Sequence, residues 1–247
     1  MDAYISGIGW VFPNSYGNRE NSSINKEKSP KLPLLNRKDV LDKPYKPFGR
    51  MDCFSKLGFA SISYALKDAG LNQKVDIDKK NTAIIASTVL GCLDTDVKYY
   101  DSVLTDGGKC ASPALFAYTL PNCLLGEASI YYGFTGESFV INEGKTSGLR
   151  GLSMALEVLE SGLSDVVVCG ICDTVNPDIK DFTGNQIPGS LFFVIEKEKR
   201  DDVYCYGKIE EKGDDNILLH NGENISELLS LAEKCLDRLL HNAINKI

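Results

Sequence analysis

Three groups of residues in this sequence have the types and spacing that chemistry requires. Gly144-Lys145-Thr146 follows an apolar run and precedes a helical pattern, like the end of a loop that wraps phosphates. Such a loop needs a glycine five residues before Gly144, because its backbone N–H groups must curl around the phosphates. That position is Phe139, inside the apolar run, so a nucleoside-triphosphate site is excluded. Cys169-Gly170-Ile171-Cys172 has the CxxC spacing of zinc and redox sites. Structural zinc takes four ligands, and no second Cys or His pair stands at a suitable spacing. A redox pair usually opens a helix, whose positive end stabilises a thiolate. Cys169 instead ends an apolar strand-like run, which predicts two buried thiols. The two histidines, His220 in a polar loop and His241 near the end of an amphipathic stretch, read as surface residues. With so few imidazoles, Ser-His or Cys-His chemistry has little to draw on. These residues imply no metal and no cofactor.

Hydrophobic periodicity shows the elements that must position such groups. Strand-like runs are Ala3 to Ile5, Thr82 to Val89, Ser138 to Asn142, Asp165 to Cys169 and Ser190 to Glu196, with an edge strand over Asp202 to Ile209. Helical patterns fill Asp52 to Ala69, Asp94 to Leu104, Asn122 to Tyr132, Thr146 to Ser161 and Ile225 to Ile244. Several strands are almost continuously apolar, as strands buried on both faces are. Strands alternating with helices predict an α/β fold with a mostly parallel sheet. Residues 14–47 are polar, proline-rich and locally basic, an irregular excursion. Residues 225–244 form a terminal amphipathic helix.

The 247 residues suit one domain, and 43% of them are hydrophobic, enough for a large core. The net charge of −7 argues against nucleic-acid binding. No apolar run approaches the roughly 20 residues of a membrane span, and Met1 to Pro13 has no basic leader. Eight cysteines scattered through apolar segments fit reduced thiols in a cytoplasm.

The order of several short pieces resembles that of β-ketoacyl synthases, the condensing enzymes of fatty-acid and polyketide assembly. The pieces are Ile5-Ser6-Gly7-Ile8-Gly9, Phe48-Gly49-Arg50-Met51-Asp52, Ala65 to Leu71, Ser112-Pro113 with Asn122, Tyr132-Gly133, Gly136-Glu137-Ser138, Thr146-Ser147-Gly148 and Asp165 to Gly170. They cover most of residues 1 to about 210 and resemble the family's N-terminal half. The resemblance implies a thiolase-like fold with a layered αβα arrangement. It also implies a catalytic cysteine at the mouth of the long helix, where the helix dipole lowers a thiol pKa. Placing Ser147-Gly148 on the family's Ser-Gly puts Lys145 at that cysteine position. An acyl group on a lysine amine becomes a stable amide and would not pass on, so Lys145 marks a pseudo-active position. The family's two histidines come from its second half, and this chain of 247 residues is expected to stop short of them.

Such a chain resembles the non-condensing chain-length factors of ketosynthase heterodimers, and more narrowly the short subunits of aryl polyene and flexirubin-type pathways. The resemblance implies that strand Ser138 to Asn142, with Phe139 and Ile141, pairs across a two-fold. It further implies that Leu115, Phe116 and Tyr118 approach the partner's acyl tunnel and limit product length. The expected partner is a full-length ketosynthase, or a second copy of this chain, with an acyl carrier protein as a further partner. Two alternatives remain: an acyl-transferring enzyme using Lys145, and a homodimeric binder of acyl or other small molecules. The helix after Lys145 carries Leu149, Leu152, Ala155, Leu156 and Leu159, an apolar face that either the terminal helix or a partner must cover.

Overall fold

The computed structural model describes residues 2–21, 24, 31–72, 81–105, 107–142, 148–174, 188–212 and 217–244. In chain order the elements begin with strands β1 (Asp2–Phe12) and β2 (Ser15–Gly17) and helices α1 (Arg37–Val40) and α2 (Cys53–Asp68). Next come β3 (Thr82–Thr88), α3 (Leu93–Leu104), α4 (Pro113–Phe116), α5 (Cys123–Tyr132), β4 (Ser138–Asn142) and α6 (Leu149–Glu160). The chain continues through β5 (Val166–Asp173), β6 (Gly189–Glu196), β7 (Gly207–Lys212), β8 (Ile217–His220), β9 (Glu223–Asn224) and α7 (Leu228–Ile244).

The strands form one sheet in the order β4-β3-β5-β6-β1-β7-β8-β9, with β2 on β1. β3 pairs in parallel with β4 and β5, whereas β6 runs antiparallel to both β5 and β1. Four of the five central strands therefore point the same way, and β6 alone is reversed. This is the expected α/β fold with a mostly parallel central sheet. β7, β8 and β9 extend it with antiparallel pairings.

β3 and β6 are buried along their whole length because helices cover both faces. Ile84 and Ala86 of β3 face a core shared with Phe54 and Phe59 of α2 and Leu124 and Ala128 of α5. Ala83 and Ile85 face the other core, with Leu152 and Leu156 of α6 and Leu231 and Leu236 of α7. The apolar face of α6 thus lies on β3 and β5, in one core with residues of α7. Cys169 and Cys172 stand three residues apart on one strand, so they point to opposite cores and cannot pair. Burial pushes the Cys169 thiol up to about 12.

α2 lies almost against β1. A Cβ at Gly7 or Gly9 would run into the backbone of Ala65 or Ser61, so only glycine permits this approach. Asp52 caps α2, accepting from Ser55 N at 2.9 Å. Asp68 at its far end is buried and accepts from Ile8 N at 2.9 Å and Tyr206 Oη at 2.7 Å. Arg19 Nε stands 3.2 Å away. Burial outweighs these partners and raises the Asp68 carboxyl to about 6.

The last strands depart from the sequence-based expectation. The strand expected at the edge starts at Gly207 rather than Asp202, runs on to Lys212, and lies between β1 and β8 instead of at the edge. His220 is not a surface residue: it closes β8 and is 1% exposed. Asn221 and Gly222 both have positive φ and make a two-residue hairpin that pairs His220 with Glu223. The strand thereby carries the imidazole under α7, where Nε2 meets Tyr206 O at 3.2 Å and Cys235 Sγ at 3.8 Å. The His241 side chain lies outside the described residues. The described part of 14–47 is irregular apart from β2, α1 and two short 3-10 turns. Among the described residues, no helix is long and apolar enough to cross a membrane.

Candidate functional site

The C-terminal ends of β3, β4 and β5 meet at one rim of the sheet. Asp173, the last residue of β5, holds this rim. Its carboxylate accepts from Thr88 Oγ1 at 2.8 Å and from Val89 N and Leu90 N at 2.9 Å each. Thr88 Oγ1 in turn accepts from Gly91 N at 2.7 Å, and Asn142 Nδ2 donates to Val89 O at 3.2 Å. The turn that starts α3 is therefore bolted to two neighbouring strands. Burial pushes the Asp173 carboxyl upward against these hydrogen bonds. Lys145, expected from the sequence to mark a pseudo-active position, lies outside the described residues.

The thiols of Cys53, Cys92, Cys123, Cys169, Cys172 and Cys235 are all pushed upward, with burial the largest cause in each. None of these is a ready thiolate nucleophile. Burial lowers the His220 imidazole while it raises Cys235 to about 12, so that contact is a neutral, sealed pair. Among the described residues, no three His, Cys, Asp or Glu side chains group as metal ligands.

Beside the rim, β4 forms an outer edge of the sheet. Phe139 is 39% exposed, and Val140 and Ile141 are half-buried. A short apolar strand with its outer side open is a template for another strand.

α4, which packs on α3, is started by Pro113 and capped by Ser112, whose side chain accepts from Leu115 N at 3.3 Å. Phe116 and Leu120 are each 61% exposed, and the Phe116 ring tilts against Tyr99 of α3 at 5.3 Å. Leu115 is half-buried.

Tyr118 turns inward instead. It is buried, and its hydroxyl donates to Glu127 Oε1 at 2.8 Å. Tyr45 donates to Oε2 of the same carboxylate at 2.5 Å. Burial and Glu127 push the Tyr118 phenol up to about 12. A cavity of about 530 Å³ lies against this group, lined by Arg50, Pro113, Ala117, Cys123 and Ile130 among others.

Of the tunnel and interface candidates, Phe116 and Phe139 present surface, Leu115 and Ile141 are partly covered, and Tyr118 is buried in the chain's own interior. Sequence reasoning missed Tyr45, Glu127 and Asp173. For Glu127 a signal existed, since it is the one charged residue in the helix CLLGEASIYY.

An αβα sandwich with four co-directional central strands and an open apolar edge is consistent with the thiolase-like, condensing-enzyme class of fold. The model of the family "Beta-ketoacyl synthase, N-terminal domain" matches residues 38–180, and the chain belongs to that family. The ketoacyl synthase alpha subunit of tetracenomycin polyketide synthase from Streptomyces glaucescens is 29% identical over 128 residues, 49% of this chain and 30% of that protein. 3-Oxoacyl-[acyl-carrier-protein] synthase 2 of Vibrio cholerae is 27% identical over 124 residues, 49% of this chain and 29% of that protein. The matched region spans only about 30% of the length of the first of these relatives.

Among solved structures, the ishigamide ketosynthase/chain length factor superposes with a TM-score of 0.68 at 15% identity, covering 85% of this chain and 66% of that one. The ketosynthase ApeO in complex with its chain length factor ApeC from Xenorhabdus doucetiae gives 0.59 at 18% identity, covering 80% of each. At these identities the likeness establishes the fold.

Proposed function

We propose that this chain is a non-catalytic, chain-length-type partner of an active ketosynthase in fatty-acid or polyketide-type assembly, aryl polyene-like in class. The observations that carry this reading are the open apolar edge β4 and the outward-facing side chains of Phe116 and Leu120. Strand addition at β4 would satisfy its free edge, and the α4 side chains would then stand at the partner's surface. Two of the similar structures contain a chain length factor together with its ketosynthase. Lys145 at the position of the family's cysteine supports a subunit that does not condense.

The locally basic segment fits an acidic third partner, an acyl carrier protein. Arg37, Lys46 and Lys56 line one cavity of about 490 Å³ there, in a chain of net charge −7. Residues 1–247 are read as one ketosynthase-like domain.

Co-expression with candidate full-length ketosynthases tests the proposal. A stable complex is expected, disrupted by Phe139→Glu while the variant chain remains folded by circular dichroism. No complex with any ketosynthase, together with self-association in sedimentation, would replace this reading with the homodimeric binder. A covalent acyl adduct on Lys145 after incubation with acyl carrier protein would replace it with the acyl-transferring enzyme.

A further inference from the structure

α4 is one turn long, too short to hold its shape without tertiary support. Ala114 and Ala117 are small and exposed, and they border the 530 Å³ cavity rather than a packed core. Phe116 rests on Tyr99 of α3 and Cys123 Sγ donates to Ala117 O at 3.1 Å, and the tie into the interior is polar. Tyr118, two residues past α4, hangs from Glu127 Oε1 at 2.8 Å. The other oxygen, Oε2, is held by Tyr45 at 2.5 Å.

Tyr45 is itself fixed, stacked on Phe59 of α2 with centroids 5.9 Å apart and edge-on to Tyr131 of α5 at 5.1 Å. Each carboxylate oxygen therefore serves one phenol, one anchored in the body and one leading to α4. The cavity leaves room for α4 to move when that link is cut.

We infer that Glu127 is a positioning residue: through Tyr118 it sets how far Phe116 projects toward the bound ketosynthase, and so the length of the product. This rests on the reading of the chain as a chain-length subunit. Tyr45 and Tyr118 are the two arms of the clamp. A neutral amide at position 127 keeps a carbonyl oxygen for one phenol and an N–H for the other, so Glu127→Gln preserves it. Glu127→Leu and Tyr118→Phe both cut it, the second by a single hydroxyl.

The test uses the complex with its co-expressed ketosynthase and acyl carrier protein, with products sized by mass spectrometry. It also uses the chain alone, with hydrogen exchange followed at residues 111–120. Glu127→Leu and Tyr118→Phe are expected to form the complex and to shift the product-length distribution in the same direction. Exchange at 111–120 should accelerate about tenfold or more, on the scale of a lost charge-assisted hydrogen bond. Glu127→Gln should restore both readouts.

Suppose instead the complex forms and Phe116→Ala alters product length, while both clamp variants leave the distribution unchanged. That overturns the clamp and leaves the chain-length reading standing. If the wild-type chain neither binds nor alters product length, the reading itself falls and this inference falls with it. Unchanged exchange in Tyr118→Phe would overturn the mechanical claim by itself.

Discussion

Replacing Asp68 by Asn removes a buried carboxyl that links β1, α2 and the segment entering β7. The amide keeps the shape and a carbonyl oxygen for Ile8 N and Tyr206 Oη. The folded chain holds this carboxyl at about 6, against an ordinary 3.8. Because the folded value is raised, the native state binds the proton more tightly than the unfolded chain does. The group's contribution to stability is complete below about pH 3.8 and is lost as pH rises through about 6.

At about 1.4 kcal/mol per pH unit, the full loss is about 3 kcal/mol at pH 7. At pH 4.5 about 1 kcal/mol of it has already gone. Asp68→Asn does not titrate, so it should gain about 2 kcal/mol on wild type between pH 4.5 and pH 7, whatever its baseline. Other titrating groups are common to both proteins and cancel. Urea unfolding of both at pH 4.5, 5.5 and 7, at fixed ionic strength, measures the difference directly. A gap that stays constant across this range, or closes as pH rises, would refute the reasoning.

Two further outcomes follow from burial and hydrogen bonding. Asp173→Ala leaves the amides of Val89 and Leu90 without their acceptor, and should cost about 2–4 kcal/mol in denaturant unfolding. Hydrogen exchange should rise at residues 88–91 first; an unchanged midpoint would show that the rim does not depend on this carboxylate. In native labelling with a maleimide, Cys110 is exposed and should react, whereas Cys92, Cys169, Cys172 and Cys235 should react only after unfolding.

The elements themselves were largely legible. α3 and α5 begin within a residue of where hydrophobic spacing put them and end at the same residues. The continuous apolar runs of β3 and β6 became strands covered on both faces. Cys169 and Cys172 read as inert from their place in an apolar strand, and a strand's two-residue period sends them to opposite sides. The His220 misreading had a remedy in the sequence, because Asn221-Gly222 is a hairpin signal. A polar flank made it look like a loop, and burial came from α7 closing over the strand.

The order of family-like pieces and the buried strands belong to the sequence by itself, because propensity, periodicity and residue identity are local. The reversed β6 between β5 and β1 was decided only in three dimensions, since a strand's own residues do not name its neighbours. So was the meeting of Tyr45, Glu127 and Tyr118, the first of which stands 82 residues from the carboxylate it holds. A carboxylate's partners depend on which surfaces the packed helices bring within 3 Å, and no spacing along the chain encodes that distance.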